Sequence, residues 1–319
     1  MAAVAFGWRK DDMERAANSE EQDVALAYRI AVACYGPDAR LEPLSRLNNA
    51  VFRVRFGAEA RILKLALTGD AAGLRKERML LELLHRHGIP APTLEHADID
   101  ARLVGRPFLA MLDAGSANLA QVLQSGSQDI HALMREMGAV LARIHGLSLV
   151  QGGDIRAEGI VPRDAAAYLE RILARGDWAA GHGLIDAQEA ALFRALPMPS
   201  MAGTSLCHGD FHAVQCVVLG GRIAAVVDWD KAWSGNPQID LAVTHAYLES
   251  YCPAEPLAHF FMGYLAHRSL PPGYARESLP ARIAHVLGMM QVWQRQGRAQ
   301  FVARGVELFR AYLRAWTAQ

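Results

Sequence analysis

The chain has 319 residues in which 33 lysines and arginines balance 33 aspartates and glutamates, so no global field draws it to nucleic acid or to an anionic membrane. Hydrophobic residues make up 52% of it, yet no long uncharged apolar run is present, which argues against a membrane-spanning helix. The length accommodates two domains, and the four cysteines, Cys34, Cys207, Cys216 and Cys252, lack a Cys-x-x-Cys zinc spacing and read as reduced, mostly buried thiols.

The apolar stretch ahead of Arg9 and Lys10 is too brief for a signal peptide, and a cytoplasmic location is expected. Ser19-Glu20-Glu21-Gln22 is a capping-box pattern that predicts a helix over residues 24–35, stopped by Gly36-Pro37. Apolar stretches at residues 41–44 and 51–54 predict two strands around Ser45-Arg46-Leu47-Asn48-Asn49-Ala50, a connection without glycine. Its Ser45, Asn48 and backbone amides suit phosphate contact and Arg46 adds charge; an ordinary hairpin turn fits equally well. Residues 61–66 form a third, buried strand that carries one lysine, Lys64. Leu74, Leu80, Leu81, Leu83 and Leu84 are spaced for a helix over residues 71–87, which contains Glu77 and Glu82. Residues 107–112 predict another strand, and from Leu119 onward the pattern is helical, most clearly over residues 129–145. No internal repeat or low-complexity linker interrupts the chain.

Chemistry concentrates between Ser205 and Ala242. Ser205-Leu206-Cys207 predicts a strand, and His208-Gly209-Asp210 turns out of it with Asp210 positioned to accept or orient a hydroxyl proton. A second apolar strand, residues 223–227, runs into Asp228-Trp229-Asp230. A carboxylate pushed out at the end of a buried strand has no packing role, so Asp228 is the expected magnesium ligand. One acid for a proton and another for metal is the division of labour in phosphoryl transfer from a nucleotide, whose loose transition state asks mainly for positioning and charge neutralisation. His208 and His212 flank Asp210 as a metal pair would; in a loop beside a carboxylate, His208 reads instead as a bracing side chain. Asp240 reads as a helix cap that also braces the catalytic loop.

With Gln215 five residues past Asp210, and Gly235-Asn236-Pro237-Gln238-Ile239-Asp240-Leu241-Ala242 closing the run, the segment resembles the signature of the aminoglycoside phosphotransferase and choline kinase superfamily. That signature is His-Gly-Asp, an Asn or Gln five residues on, Ile/Val-Asp-Trp/Phe-Glu/Asp, and Gly-Asp-Pro…Asp-Leu-Ala. The resemblance covers about residues 40 to 250. It implies an α+β, bilobal, protein-kinase-like fold: a small sheet-containing N-lobe in residues 1–112, and a mostly helical C-lobe in residues 113–319 with the catalytic loop, metal site and acceptor pocket. It also implies ATP, or another nucleoside triphosphate, with Mg2+, phosphorylating a hydroxyl of a small molecule.

The same resemblance distributes roles among the residues. Asp210 is the catalytic base. Gln215 and Asp228 are the metal ligands; most members have Asn where this chain has Gln215, and maltokinase-like members have Gln. Lys64 is the ammonium that meets the α- and β-phosphates. Glu77 is its ion-pair partner by the match of Gly88-Ile89-Pro90-Ala91-Pro92 to the family's Gly-Val-Pro-Val-Pro turn, with Glu82 the rival by spacing alone. Asn49 matches an Asn that members often keep before the second strand, and Met111 to Asp113 fall in the hinge that reads adenine through backbone groups. The helix carrying Leu141-Ala142-Arg143-Ile144-His145 resembles the family's Leu-Ala-x-Leu-His helix.

The acceptor is less legible. Beyond Cys252, Arg268, Arg276, Arg282, Arg295, Arg298, Arg304, Arg310 and Arg314 stand against Glu255, Glu277 and Glu307. Polycationic aminoglycosides need carboxylates around their amines, so this balance suits a neutral or acidic acceptor, or else marks a solvated helix face. Trp293, Trp316, Tyr247 and Tyr251 either stack on a sugar or belong to the core. The rival to an enzyme is a nucleotide-binding pseudokinase or regulatory module, suggested by the glycine-free loop and by Gln215; Lys64, Asp210 and Asp228 together favour turnover. No Ala-Pro-Glu pattern follows Asp228, which weighs against a protein substrate. The expected partner is a small hydroxyl-bearing molecule, with neither nucleic acid nor membrane, and the expected state a monomer or homodimer.

Overall fold

Gly57 turns the chain back on itself at φ 56°, a left-handed conformation that costs glycine nothing, and so joins two neighbouring strands of the N-terminal sheet. The computed structural model describes residues 10–46, 48–126 and 129–318; the apolar stretch ahead of Arg9, and Leu47 of the glycine-free connection, lie outside them. The chain divides into two compact units, Met1–Ser116 with Ala224–Asp230, and Ala117–Ile223 with Lys231–Gln319.

The first unit contains α1 (Lys10–Tyr35), β1 (Arg40–Arg46), β2 (Asn49–Phe56), β3 (Glu59–Ala66), α2 (Ala72–Arg86), β4 (Leu94–Asp98) and β5 (Phe108–Leu112). Its antiparallel sheet has the order β1-β2-β3-β5-β4. Phe52, Val54, Leu63, Leu65, Phe108 and Ala110 pack with Ala27, Ile30 and Ala31 of α1. Lys64 falls between Leu63 and Leu65 on β3, so strand alternation turns it to the opposite face. Helix α1 begins at Lys10 rather than Val24, which puts Ser19 inside the helix instead of at its cap. Residues 10–18 hold no Pro or Gly to stop a helix, and the Ser19 hydroxyl instead accepts from Arg46 Nη2 at 2.6 Å.

In the second unit come β6 (Ala117–Asn118), α3 (Leu119–Ser125), α4 (Ile130–His145), β7 (Gly153–Arg156), β8 (Gly159–Val161), α5 (Ala165–Gly181), α6 (Ala187–Arg194), β9 (Ser205–Cys207) and β10 (Cys216–Leu219). Strand β11 (Arg222–Val226) carries the chain back into the first unit. After it follow β12 (Trp233–Gly235), α7 (Pro237–Tyr251), α8 (Ala254–Leu265), α9 (Tyr274–Glu277), α10 (Leu279–Arg295) and α11 (Ala299–Thr317). A small sheet of order β8-β7-β12-β9 holds the start of the loop that carries Asp210, and the main core lies among α5, α6, α7, α10 and α11, around Ile283, Val286, Leu287, Met290 and Phe309. Side-chain caps set the helix starts: Asp129 for α4, Asp164 for α5, Asp186 with Glu189 for α6, and Asn236, followed by Pro237, for α7. The cap of α7 is therefore Asn236, and Asp240 stands one turn inside the helix.

The mixed α+β organisation, a sheet-containing N-terminal unit and a helical C-terminal one, is the one expected. Among the described residues no helix is long and apolar enough to cross a membrane. Cys207 and Cys216 are buried, Cys34 and Cys252 half-buried, and all four are free thiols.

Candidate active site

In the first unit a buried cation meets a group of acids. Lys64 Nζ donates to Glu77 Oε2 at 2.5 Å and lies 3.7 Å from Asp230 Oδ1. Glu77 reaches it because it belongs to the buried stripe of α2, with Leu74, Leu80, Leu81 and Leu84; Glu82 lies on the exposed side and pairs with Arg78 at 3.0 Å. Burial disfavours the Lys64 ammonium, but the carboxylates of Glu77, Asp230 and Asp228 outweigh it and hold the group above its ordinary value. Asp228 comes two residues after β11, at φ 65°, a left-handed conformation rare outside glycine and most tolerated by Asp and Asn. Trp229, buried beside it, donates from Nε1 to the Val226 carbonyl at 2.9 Å and pins the turn.

The glycine-free connection enters this cluster through Asn48, whose Nδ2 donates to Asp230 Oδ2 at 3.1 Å. Asn49 is the first residue of β2, half-buried and paired with Ala66. Met111 is buried in β5. The Asp113 carboxylate accepts from Arg53 Nε at 2.6 Å and from the Gly115 amide at 3.1 Å, so its side chain is committed to the fold.

In the second unit the centre is Asp210, just past β9. Its Oδ2 accepts from Lys231 Nζ at 2.8 Å and its Oδ1 from the Tyr247 hydroxyl at 2.9 Å. Burial would raise this carboxyl; Lys231, aided by His212 and Tyr247, outweighs burial and holds it below the ordinary carboxylate value. The loop that presents it is tightly bound. Asp240 accepts from the His208 amide at 2.8 Å and the Gly209 amide at 2.7 Å, and its Oδ2 lies 3.1 Å from His145 Nε2, whose Nδ1 lies 2.9 Å from the Tyr264 hydroxyl. Gly209 has φ 80°, and a Cβ there would fall 2.3 Å from the Lys231 carbonyl oxygen, so only glycine fits. His208 Nδ1 accepts from the Asp210 amide at 3.3 Å, a bracing contact. The His212 ring packs 4.4 Å from that of Tyr247, and burial lowers its pKa to about 4, leaving it neutral. Gln215 closes a 3-10 turn, Ala213–Gln215, with a buried side chain.

A sequence profile described as the phosphotransferase enzyme family matches residues 40–279. The chain belongs to that family. No curated protein sequence matches it significantly. Among solved structures, a thermostable mutant of aminoglycoside phosphotransferase APH(4)-Ia aligns at 17% identity over 92% of this chain and 100% of that one, with a TM-score of 0.65. The same enzyme is known in a ternary complex with ADP and hygromycin B. The microcompartment-associated aminopropanol kinase aligns at 18% identity over 92% and 98%, TM-score 0.65. Macrolide 2'-phosphotransferase MphH from Brachybacterium faecium aligns at 21% over 89% and 97%, TM-score 0.57. At these identities the likeness is one of fold.

Lys231 has no assigned role in the sequence, although it directly follows Asp228-Trp229-Asp230. Tyr247, expected to stack on a sugar or join the core, instead donates to Asp210 and stands seven residues after Asp240 on α7, two turns along one face. His145 carried the clearest signal, as the final residue of the family-like helix, but its partner is 95 residues away. The arginines beyond Cys252 are mostly engaged in the fold. Arg282 pairs with Glu249, Arg304 with Glu307 at 3.0 Å and Arg310 with Glu189 at 2.7 Å. Arg268 donates to the His145 carbonyl at 2.9 Å, and Arg276 lies over the Trp316 ring. Trp293 and Trp316 pack against the helical core.

Proposed function

We propose that this phosphotransferase moves the γ-phosphoryl group of ATP to a hydroxyl of a small molecule, with Asp210 as the group that receives the hydroxyl proton. The observation that carries this reading is the state of Asp210: a mostly buried carboxylate, kept ionised by Lys231, oriented by Tyr247, on a loop fixed through Asp240. A carboxylate with a lowered pKa is a weak base, which suits phosphoryl transfer, where the proton leaves late and orientation of the nucleophile matters most. Asp210 thus aims the hydroxyl oxygen and takes its proton once the bond to phosphorus is largely formed.

Lys64, held charged among Glu77, Asp230 and Asp228, supplies a fixed cation for the α- and β-phosphates. The candidate metal donors, the Asp228 carboxylate and the Gln215 amide, are oxygen ligands, which suits a hard cation such as magnesium. Magnesium held by such oxygens would neutralise the charge of the β- and γ-phosphates. The retention of cation, acids and base together supports turnover over a purely regulatory module. The nucleotide complexes of the structurally similar aminoglycoside phosphotransferase support ATP as donor.

ADP release from ATP and magnesium, measured across a panel of alcohols, sugars, amino alcohols and hydroxy acids, tests the reading. Acceptor-dependent turnover is expected. Tight nucleotide binding with no turnover for any acceptor, and none with water, would return the pseudokinase reading.

A further inference from the structure

Beside Asp210, wholly within the second unit, lies a cavity of about 230 Å³. Gly209 of the catalytic loop and Lys231, which pairs with Asp210, both line it. It is smaller than the roughly 300–1,000 Å³ of sites for drug-sized ligands, which is little space for a bulky antibiotic. Its wall holds three cations, Arg163, Arg175 and Lys231, and one acid, Asp240. Both Asp240 oxygens are already taken by the His208 and Gly209 amides and by His145, so that acid has no capacity left for a ligand.

The three cations differ in how their charge is met. Lys231 has Asp210 at 2.8 Å. Arg163 donates from Nε to Asp154 Oδ1 at 2.7 Å and lies over the Trp233 ring at 4.5 Å. Arg175, half-buried on α5, donates from Nη1 to the Ala284 carbonyl at 2.9 Å, and among the described residues no carboxylate lies within ion-pair distance of it. Burial lowers its pKa, the mark of a desolvated cation without a counter-ion. Gly288 on α10 leaves room for it: a Cβ there would come within 3.0 Å of Nη1. His285 lines the same cavity, its buried Nε2 has no hydrogen-bond partner, and its ring packs 4.4 Å from Tyr247, the residue that donates to Asp210. An uncompensated guanidinium and an unsatisfied imidazole nitrogen both cost stability until something satisfies them. An anion satisfies both.

Resting on the phosphotransferase reading, we infer that the acceptor is a small hydroxylated anion, whose acidic group is held by Arg175 and His285 while its hydroxyl faces Asp210. A carboxylate fits best, because its two oxygens match the planar fork of a guanidinium. A polyamine acceptor would place its ammonium groups against a cationic wall whose single acid is spent.

Four three-carbon probes that share a diol test this: glycerate, glycerol, 3-amino-1,2-propanediol and glycerol 3-phosphate. Their dissociation constants are measured by calorimetry on the protein with ADP and magnesium, and their turnover with ATP. Glycerate is expected to bind at least about tenfold tighter than glycerol or the amine, with affinity falling as salt rises. In Arg175→Gln that preference should vanish while nucleotide affinity stays, and Arg175→Lys should restore part of it. Tighter binding of glycerol 3-phosphate than glycerate would keep the anion and make it a phosphate. If Arg175→Gln does not fold, the ranking and salt dependence of the wild type decide. Preference for glycerol or the amine, no anion bound at millimolar concentration, or an anion preference unchanged in a folded Arg175→Gln would each overturn the inference. Nucleotide binding and ATP turnover in the same samples judge the phosphotransferase reading separately: turnover of the amine would sink the anionic acceptor and leave that reading intact.

Discussion

Lys231 and Tyr247 each donate to one oxygen of Asp210, so both oxygens of the candidate base are held by side chains. The ammonium lowers the Asp210 pKa; its removal in Lys231→Met lets the pKa rise, so protonation begins at higher pH. The acid limb of kcat/KM should therefore move to higher pH in that variant, and in the same direction but less in Tyr247→Phe. A limb that stays in place in Lys231→Met would mean that the acid limb reports another group. Gln215 is a separate question of ligand chemistry. Gln215→Asn keeps an amide oxygen with a shorter reach, whereas Gln215→Leu removes it at similar volume. Turnover against magnesium concentration should show partial activity in Asn, rescued by more metal, and almost none in Leu, since mass action cannot restore a missing ligand. Wild-type magnesium dependence in Leu would reduce Gln215 to a loop brace.

At the level of elements, the catalytic loop is held by α7 and α4 rather than by its own sequence. Asp240 offers its oxygens to two loop amides and to His145. Asp240→Ala leaves two buried N–H groups unsatisfied, at about 1–3 kcal/mol each, so urea unfolding should show a loss of roughly 2–6 kcal/mol. Burial would raise the Asp240 carboxyl, but the contact with His145 and the bonds from the loop hold it below its ordinary value. Its contribution is thus full above the ordinary carboxylate pKa and is lost as pH falls through the lowered one. The wild type should lose more stability on acidification than Asp240→Ala. Helices α4 and α8 meet so closely that a Cβ at Gly138 would fall 1.9 Å from the Phe260 carbonyl oxygen, and one at Gly263 1.8 Å from that of Arg135. Gly263→Ala should lower the melting temperature, since backbone on both sides leaves little room to adjust; an unchanged melting temperature would mean that the helices separate freely.

Across the whole molecule, what the sequence disclosed was what lies close together along the chain. Strands β2, β3, β5 and β9 and helices α2 and α4 follow from local apolar spacing, and Glu77 is separable from Glu82 because one turn of α2 decides which side is buried. The start of α1 was misjudged because a capping-box pattern inside a stretch without breakers does not start a helix. Arg175 and His285 carried no signal, since one of two arginines on α5 and a lone His on α10 resemble solvated positions until the helices pack. The arginines beyond Cys252 drew attention by number, yet most of their charge is spent on Glu249, Glu307, Glu189 and backbone carbonyls.

The proposal turns on a division of labour between a base, Asp210, and a metal-binding acid, Asp228. Its most direct test measures magnesium-dependent ATP affinity and acceptor turnover side by side in Asp210→Asn and Asp228→Ala. Asp210→Asn should lose roughly hundredfold or more in kcat with nucleotide affinity unchanged, and Asp228→Ala should lose the magnesium dependence of nucleotide binding. Equal loss of ATP affinity in Asp210→Asn, or full magnesium-dependent binding in Asp228→Ala, would contradict the assignment.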